Sequence, residues 1–497
     1  MAHPLQSRKA LDNSMMNISY RIISDDFYNQ SKHIYLLALV KSSIFEKNSE
    51  EIFKYISLKI NIVLSNGIIF NGVKYSVEIN HFSLDSKAAS YFLVLKSSFT
   101  HEYCCRFCLT QRSKFSETLF ETNIRTHESF LLNFENHLTS EDSDVFGINK
   151  LSLLRHLKIE KFTELVPPCI YHDIFEGVGK VVIDLTIKYL CKKKYINGDT
   201  FASELSSFEF LELDKHKIPN FPRGAQSLRL TASESYNLLR FFSFFVSKFA
   251  PLNDEIFQLL SCFNIFVNIC MVFDVNDCII TLLNTAVADL IYFMQKIFPE
   301  YNFTIKFHHF IHYGSIMKKF GSLRKLSTIH FEQQHSFLKK LMHSNKNWIY
   351  PELSVAKKYV RARISDVNIQ PGSHKNPIIY NNKNILLDKY MSESVETIFK
   401  VSQCNFFSIT YKPGYIVALS SKIALQISEI FLIESKYILI GCMYDAEYEE
   451  VTNRCILSKT LKTMAISINE LKNKSPMNLY KIEGEICIFP HHFIENE

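Results

Sequence analysis

Short apolar runs and a helical pattern alternate near the start of the chain. Residues 15–23 and 33–41 are apolar and bounded by polar turns, which predicts two strands. Residues 42–67 carry apolar side chains at helical spacing and end at Asn66-Gly67, a common helix end. They predict one helix.

Apolar and polar residues alternate again from Gly72 onwards. This alternation predicts a strand that places Asp85 just beyond its C-terminal end. Residues Ser86 to Val94 then have the apolar spacing of a helix. Strands and helices therefore alternate through roughly the first hundred residues.

The rest of the chain divides by the period of its apolar residues. From about residue 150 to 300 they recur at intervals of three and four, which predicts helices, with a Pro/Arg/Gly break at 218–230. One more amphipathic helix follows Glu332, and then a polar linker. Beyond about residue 396, strand-like runs separated by turns predict a small all-β module. The expected fold class is α+β.

One apolar stretch, Ile256 to Phe273, is long enough to be compared with a membrane span. Its polar residues fall on one stripe of a helix, at spacings of three, three and four: Gln258, Ser261, Asn264 and Asn268. Lipid offers no hydrogen-bond partners for the polar side chains of such a stripe, whereas neighbouring helices in a bundle can provide them. The pattern predicts a buried core helix.

Composition places the chain among ordinary globular proteins, with 47% apolar and 21% charged residues. The net charge of +6 permits a nucleic-acid partner without requiring one. The opening MAHPLQSRKALDN is polar and unlike a secretory signal, so we expect a reducing compartment, nucleus or cytoplasm. The twelve cysteines are then thiols or metal ligands, and the protein is expected to be neither secreted nor in a membrane.

Two spaced pairs of residues could hold a zinc ion. Cys105 and Cys108 form a CxxC knuckle, which by itself indicates half a zinc site, a redox pair or unremarkable thiols. His308 and His312 are four apart, so on a helix both imidazoles project from one face. Together the pairs predict a structural Cys2His2 site that joins segments about 200 residues apart.

Two carboxylates could take part in metal-dependent chemistry. Asp85 follows a predicted strand, and Glu332 lies at or near a helix 247 positions later. Converging carboxylates can hold divalent metal ions for phosphoryl transfer. The alternatives are a helix N-cap for Asp85 and an ordinary exposed glutamate for Glu332.

A third cluster follows Pro167-Pro168, which opens a predicted helix carrying His172, Asp173 and Glu176. These residues could lie beside an active site or face DNA. The alternative is that acidic side chains are simply favoured at a helix N-terminus.

Basic residues are frequent around Glu332 and could contact a DNA backbone. A solvated helix face is the alternative. The candidates are Lys318, Lys319, Arg324, Lys325, Lys339 and Lys340.

Taken together, the motifs resemble those of the CACTA (En/Spm) superfamily of eukaryotic DNA transposases. The match is collinear over roughly residues 3 to 360. PPCIYHDIFEGV resembles the family's P-P-D-x-M-H-D-x-x-E-G-V, and IHFEQQHSFLKKL resembles M-R-F-E-x-K-H-x-x-F-K. The other matching segments are HPLQSRKALDN, HIYLLALVKSS, SLDSKAAS, CCRFC, VFGINKLSLL and KFHHFIHYGSIM.

The resemblance implies an RNase H-like mixed α/β core with a DDE acidic triad, interrupted by a large all-helical insertion. Asp85 would be the second acid and Glu332 the third, holding Mg²⁺ or Mn²⁺ in an active protein. The catalytic subunit of the V(D)J recombinase is similar, with a CxxC after its second acid and a histidine pair before its third. The gaps here are 105 − 85 = 20 and 332 − 312 = 20.

The implied organisation has five parts. Residues 1–99 would be the first part of the core, and residues 100–300 the zinc knuckle and helical insertion. Residues 301–365 would complete the core, residues 366–395 would be a linker, and residues 396–497 the β-rich module.

Some positions depart from the family pattern. The family's first acid lies just ahead of its N-P-L-G-S stretch, and here HPLQS begins at His3. Asp25-Asp26-Phe27 looks similar to the missing acidic strand but falls between the predicted strands. The family's Asp after Pro-Pro is Cys169, and its Lys after F-E-x is Gln334.

We therefore expect a transposon-derived protein with little or no strand-transfer activity as given. The alternative is a decayed or domesticated copy that binds DNA or protein without catalysis and keeps the zinc site. A helical scaffold unrelated to DNA is a third possibility. DNA is the expected partner, with self-association into a homo-oligomer also open.

Overall fold

The computed structural model forms two compact units. The first unit comprises Met1–Asp173, Val275–Ala288 and Asn302–Asn368, and the second comprises Ile174–Asp274, Asp289–Tyr301 and Ile369–Glu497. The structure describes residues 14–23, 33–96, 101–139, 145–148, 150–215, 219, 230–345, 349–366, 372–380, 384–391, 397–406, 409–471 and 473–491.

Several predicted features lie outside the described residues. HPLQS and the Asp25-Asp26-Phe27 segment are among them, as is nearly all of the 218–230 break. Only parts of the predicted linker, residues 366–395, are described.

The first unit begins with the two predicted strands, β1 (Met15–Arg21) and β2 (Ile34–Lys41). They pair antiparallel, with a register shift after Ile18. Both strand predictions are confirmed, because short apolar runs bounded by turns pair through their backbones wherever one face is covered.

The predicted helix 42–67 is two helices, α1 (Ser42–Lys47) and α2 (Ser49–Asn66), because Asn48 leaves the helical conformation. The predicted end at Gly67 is confirmed. Its φ of 71° suits glycine, and a side chain there would place a Cβ 2.3 Å from the carbonyl oxygen of Tyr75.

The strand predicted to run up to Asp85 is wrong beyond Tyr75. Only β3 (Ile68–Phe70) and β4 (Val73–Tyr75) form a hairpin, and residues 76–85 are not part of a strand. Alternation alone does not make a strand when no neighbouring backbone accepts and donates its hydrogen bonds. The predicted helix after Asp85 is present as α3 (Ser86–Leu93).

The core of the first unit packs α1 to α3 against later short helices. Phe45, Phe53 and Phe92 are buried in it, together with Phe130 of α4 (His127–Thr139). Short 3-10 helices connect these elements: Arg112–Glu117, Val145–Gly147, Leu153–His156 and Phe162–Leu165.

A helical stretch opens after Pro167-Pro168, as predicted, with a π-helix at Tyr171–Val178. It leads into the second unit, whose helices are predominantly apolar and buried. They are α5 (Gly179–Lys192), α6 (Gly198–Ser207), α7 (Glu212–Lys215), α8 (Ala232–Ser247) and α9 (Ile256–Cys270).

The core-helix prediction for Ile256–Phe273 is confirmed over α9. Ser261, Asn264 and Asn268 of the polar stripe are buried, and the Asn264 amide donates to Ser243 Oγ over 2.9 Å. Gln258 is exposed. The stripe hydrogen-bonds inside the helical bundle, as its spacing indicated.

Helix α10 (Asp277–Ile297) is the one described helix long and apolar enough to cross a bilayer, and 39% of its most apolar window is buried. A single such helix is weak evidence for a membrane protein, because core helices of the same length and composition meet the same criteria.

The later part of the first unit carries the second set of candidate residues. Its helices are α11 (Ile305–His308), α12 (Tyr313–Phe320), α13 (Ile329–His343) and α14 (Pro351–Asp366), with 3-10 helices at His309–His312 and Leu323–Leu326. Helices α13 and α14 pack together through Leu338, Val355 and Tyr359, which also contact β2.

The second unit contains the predicted β-rich region as an eight-stranded antiparallel sheet. Its order is β14-β15-β13-β12-β11-β7-β6, and β10 pairs with β11. These strands are β6 (Ile378–Ile379), β7 (Phe399–Val401), β10 (Ile416–Ala418), β11 (Ile423–Ile433), β12 (Lys436–Glu449), β13 (Arg454–Ser467), β14 (Tyr480–Ile482) and β15 (Glu485–Ile488).

A separate three-stranded sheet joins β5 (Gly372–Lys375), β8 (Gln403–Phe406) and β9 (Ile409–Tyr411). The remaining elements here are a short helix, α15 (Ile385–Asp388), and a 3-10 helix at Ile468–Glu470.

The fold is mixed, with helices and antiparallel sheets, which is the α+β class expected. A unit boundary falls at Asp173, and the β-rich region shares its unit with helices α5 to α9.

Candidate metal centre and the surroundings of Glu332

The four predicted zinc ligands come together in the first unit. The ligand atoms of Cys105, Cys108, His308 and His312 all lie within 4.8 Å of one another, and all four residues are buried. Cys108 Sγ lies 3.1 Å from His308 Nε2, and Cys105 Sγ lies 3.6 Å from His312 Nε2. Around a tetrahedral zinc ion, neighbouring ligand atoms are separated by about 3.3–3.8 Å.

A short backbone pairing holds the cysteine half. The N–H of Leu109 donates to Asn123 O and that of Arg125 to Phe107 O, so the knuckle lies against residues 123–125. The Arg125 guanidinium donates to the carbonyl oxygen of Cys105 over 3.3 Å. These hydrogen bonds fix the backbone conformation that directs both cysteine sulfurs to the same side.

His308 and His312 lie where an α-helix changes to a 3-10 helix. His308 ends α11, and His312 ends the following 3-10 helix, so the uniform helix expected for this pair is not present. Both imidazoles nevertheless present Nε2 to the cysteines. A tighter turn changes the angle between positions four apart without sending them to opposite faces.

Electrostatics favour a thiolate in this cluster. Hydrogen bonds from the Cys105 thiol and from His308 and His312 hold the pKa of Cys108 far below its usual range. Burial raises the pKa of Cys105 well above its ordinary value, and the neighbouring Cys108 adds to this. One negative charge is therefore already stabilised at the position where a cation would bind.

Residues around the cluster orient its histidines. Glu121 Oε1 lies 2.7 Å from His312 Nδ1, and the Phe115 ring stacks on His308 with centroids 3.8 Å apart. A carboxylate on the far nitrogen is the usual support for a zinc-binding histidine. Two sulfurs, two Nε2 atoms and this support fit zinc.

The arrangement fits a structural zinc site rather than a catalytic one. All four ligands are protein side chains and are buried, so they would fill a tetrahedral coordination shell and leave no position for water or substrate. The chemistry available here is the joining of two chain segments.

Asp173, predicted to lie beside an active site or to face DNA, is buried within the first unit. Its carboxylate is fully buried and accepts a hydrogen bond from His309 Nδ1 over 2.8 Å. Burial raises the pKa of Asp173, but His309 and Arg106 outweigh this and lower it. Burial lowers the pKa of His309 to about 4, although the charge and hydrogen bond of Asp173 oppose this shift.

Glu332 lies in the first turn of α13 and is exposed, with 54% of its side-chain area accessible. Its Oε1 accepts a hydrogen bond from Thr328 Oγ1 over 3.0 Å and lies 3.4 Å from His172 Nε2. The structure thus brings His172 to the predicted third acid. Glu176 is exposed and belongs to the second unit.

Asp85 caps α3. Its Oδ1 accepts the backbone N–H of Ala88 over 2.6 Å, the N-cap arrangement named as the alternative for this residue. Within the described part of the chain, Cys105, Cys108, His308 and His312 are the one group of three or more His, Cys, Asp or Glu side chains placed to hold a metal ion. A carboxylate site for Mg²⁺ or Mn²⁺ has no support among these residues.

The predicted basic residues differ in their surroundings. Lys318 and Lys340 are exposed, whereas Arg324, Lys325 and Lys339 are half-buried. The Lys319 ammonium is 3.0 Å from Glu164 Oε2, so part of its charge is already balanced.

Sequence reasoning missed three partners of the candidate residues. Glu121 supports His312, Thr328 supports Glu332, and Cys169 Sγ lies 3.2 Å from His172 Nδ1. Two of them had a signal in their spacing, because Thr328 precedes Glu332 by four positions and Cys169 precedes His172 by three. Glu121 had none.

No protein-family model matches the chain, and no curated protein matches it either.

Proposed function

We propose that this protein is a transposon-derived, zinc-stapled DNA-binding protein of the DDE transposase class that does not itself cleave DNA. The observation that carries the proposal is the convergence of Cys105 and Cys108 with His308 and His312 within 4.8 Å. The resemblance to CACTA transposases implies this site, with its cysteine half after one acid and its histidine half before another.

The surroundings of Glu332 support the assignment. The glutamate is exposed at the start of a helix, next to His172 and Thr328. His172 comes from the P-P-x-x-x-H segment and Glu332 from the F-E segment, two motifs that the resemblance pairs in one protein. These segments are distant in the chain, so their contact arises only if they are folded together.

The surroundings of the carboxylates support the non-catalytic part of the proposal. Phosphoryl transfer by a DDE site needs acids that converge on metal ions. Asp85 instead uses Oδ1 to cap a helix, and the described residues contain no carboxylate cluster placed to hold a metal.

The helical-scaffold alternative is less well supported. It required the CxxC pair to lie away from the HxxxH pair, and the two pairs are in contact.

The test is DNA binding as a function of salt. Duplex DNA should bind with an affinity that falls steeply between roughly 50 and 200 mM salt. Lys339→Gln combined with Lys340→Gln, both on the helix that carries Glu332, should reduce the slope of log K against log salt by about 2. The matched control is Lys459→Gln with Lys462→Gln, two exposed lysines on β13.

Two results would contradict the proposal. If binding is undetectable, or equally weakened by the control pair, the DNA assignment fails. If Mg²⁺ or Mn²⁺ supports robust nicking that Glu332→Ala abolishes, the non-catalytic part is wrong and the strand-transfer chemistry is present.

A further inference from the structure

A second cluster lies in the first unit around the sulfur of Cys169. We propose that Cys169 is a peroxide-sensitive thiol, oxidised by small hydroperoxides, and that its oxidation displaces the hydroxyl group that holds Glu332. The cluster shares no residue with the zinc ligands. The inference does not depend on DNA binding.

Groups that can donate hydrogen bonds converge on the sulfur. His172 Nδ1 lies 3.2 Å from Cys169 Sγ, and Thr328 contributes both its hydroxyl at 3.2 Å and its backbone N–H at 3.4 Å. Ser327 Oγ is 3.9 Å away. A neutral thiol is a weak acceptor, so a set of donors of this kind matches a thiolate.

The imidazole of His172 lies between two acidic groups. Nδ1 faces Cys169, and Nε2 is 3.4 Å from Glu332 Oε1. An imidazolium donates from both nitrogens, so a thiolate on one side and a carboxylate on the other both favour the protonated ring. Cysteine, histidine and glutamate therefore form a linear chain of contacts from the sulfur to the carboxylate.

Comparison with a second buried cysteine, Cys270, shows how these partners affect the pKa of the Cys169 thiol. Burial raises the pKa of the Cys169 thiol, but the hydrogen bond and charge of His172 and the donors of Thr328 outweigh it, and the pKa is lowered. Cys270 is also buried, and burial raises its pKa well above the ordinary value. The two cysteines, 3% and 0% exposed, thus differ in the polar groups around the sulfur.

The reaction is a two-electron oxidation of the thiolate. The sulfur attacks one oxygen of the hydroperoxide, the S–O bond forms and the O–O bond breaks. The leaving hydroxide or alkoxide takes the proton from His172, giving water or an alcohol. Sulfur ends as a sulfenic acid, and the peroxide is reduced.

The size of the oxidant is limited by burial. Cys169 is only 3% exposed, but the side chains of His172 and Glu332 are 19% and 54% exposed beside it. A hydroperoxide is small enough to approach along them. The added oxygen would compete with Thr328 Oγ1, whose single proton can go either to Cys169 Sγ or to Glu332 Oε1.

The test follows each cysteine separately. The full-length, zinc-loaded protein is exposed briefly to hydrogen peroxide, quenched with catalase, and denatured while the remaining thiols are alkylated. Mass spectrometry of the peptides then gives the oxidation rate at each cysteine. Cys169 should oxidise about ten times faster than Cys270, because rate follows thiolate content.

Variants identify the cause. His172→Gln should slow oxidation of Cys169 about tenfold and leave Cys270 unchanged. The control is His156→Gln, a histidine of the same unit whose ring contacts Glu50. Thr328→Val, which keeps the backbone N–H but removes the hydroxyl, should also slow Cys169 and serves if His172→Gln does not fold.

The outcomes are distinguishable. Oxidation of Cys169 no faster than that of Cys270 overturns the proposal. So does an unchanged rate in the folded His172→Gln or Thr328→Val protein. A fast, His172-dependent rate supports it even if the chain binds no DNA.

Discussion

At the scale of single residues, the candidate zinc site depends on groups outside its four ligands. His312 faces Cys105 with Nε2 and is held from behind by Glu121, whose Oε1 also accepts from Ser315. A hydrogen bond on the far nitrogen fixes both the tautomer and the ring orientation of a ligand. The carboxylate of Glu121 therefore affects the metal affinity of the site, although it is distant from His312 in the chain.

Glu121→Ala should weaken zinc binding about 10- to 100-fold, because His312 loses the group that orients it. Competition with a chromophoric chelator measures the affinity. Glu117→Ala, an exposed glutamate four positions earlier, is the control. Equal affinities in the two variants would show that Glu121 does not support the site.

His81 should make stability depend on pH. Burial and the charge of Arg21 lower its folded pKa to about 4, below the 6.5 of a free histidine. The unfolded chain therefore binds more protons between these values, and stability falls as pH drops from 6.5 towards 4.

Between pH 7.5 and pH 5, His81→Gln should remove up to about 2 kcal/mol of the loss in unfolding free energy seen in the parent protein. Urea unfolding at the two pH values measures this. A variant with the same pH dependence as the parent would contradict the prediction.

At the scale of elements, the end of α2 was predicted correctly, whereas the strand before Asp85 was not. Asn66-Gly67 ends α2 as expected, since the positive φ at Gly67 is a local property. The strand predicted to reach Asp85 stops at Tyr75, because a strand depends on a partner that local sequence does not provide. Asp85 is then the N-cap of α3, and no strand leads up to it.

Replacing Asp85 separates these two roles. Asp85→Ala should destabilise the protein by about 1 kcal/mol, whereas Asp85→Asn, which keeps the capping oxygen, should change stability by only a few tenths. Urea midpoints for both variants measure the difference. Equal destabilisation by Asn and Ala would show that the cap is not what Asp85 contributes.

At the scale of the whole molecule, the zinc site would join two distant segments of the first unit, because Cys108 and His308 stand 200 positions apart in the chain. The four side chains are buried, and their ligand atoms lie within 4.8 Å of one another. Metal binding to such a set adds directly to folding free energy, because the unfolded chain has no preformed site.

Zinc removal should therefore act on the first unit. Cys108→Ser should bind no zinc, while Cys104→Ser should keep about one ion per chain, because Cys104 is outside the cluster. Hydrogen exchange in Cys108→Ser should rise around residues 105–125 and 305–315. Strands β11 to β13 should keep their protection, and an equal rise there would contradict a local role.

The spacings of the sequence determined the candidate zinc ligands, the amphipathic helices, the ends of several elements and the buried polar stripe of α9. Each depends on the backbone periodicity of a few consecutive residues. The resemblance to a transposase family likewise rests on local motifs, and its RNase H-like core remains a prediction.

Only the tertiary structure decided which groups meet across long stretches of chain. Cys169 and His172 reach Thr328 and Glu332 from a distant segment, and Asp173 pairs with His309 rather than facing solvent. Sequence spacing sets the direction of a side chain within its own helix or turn. Contact with a distant side chain depends instead on how whole elements pack, which no local pattern contains.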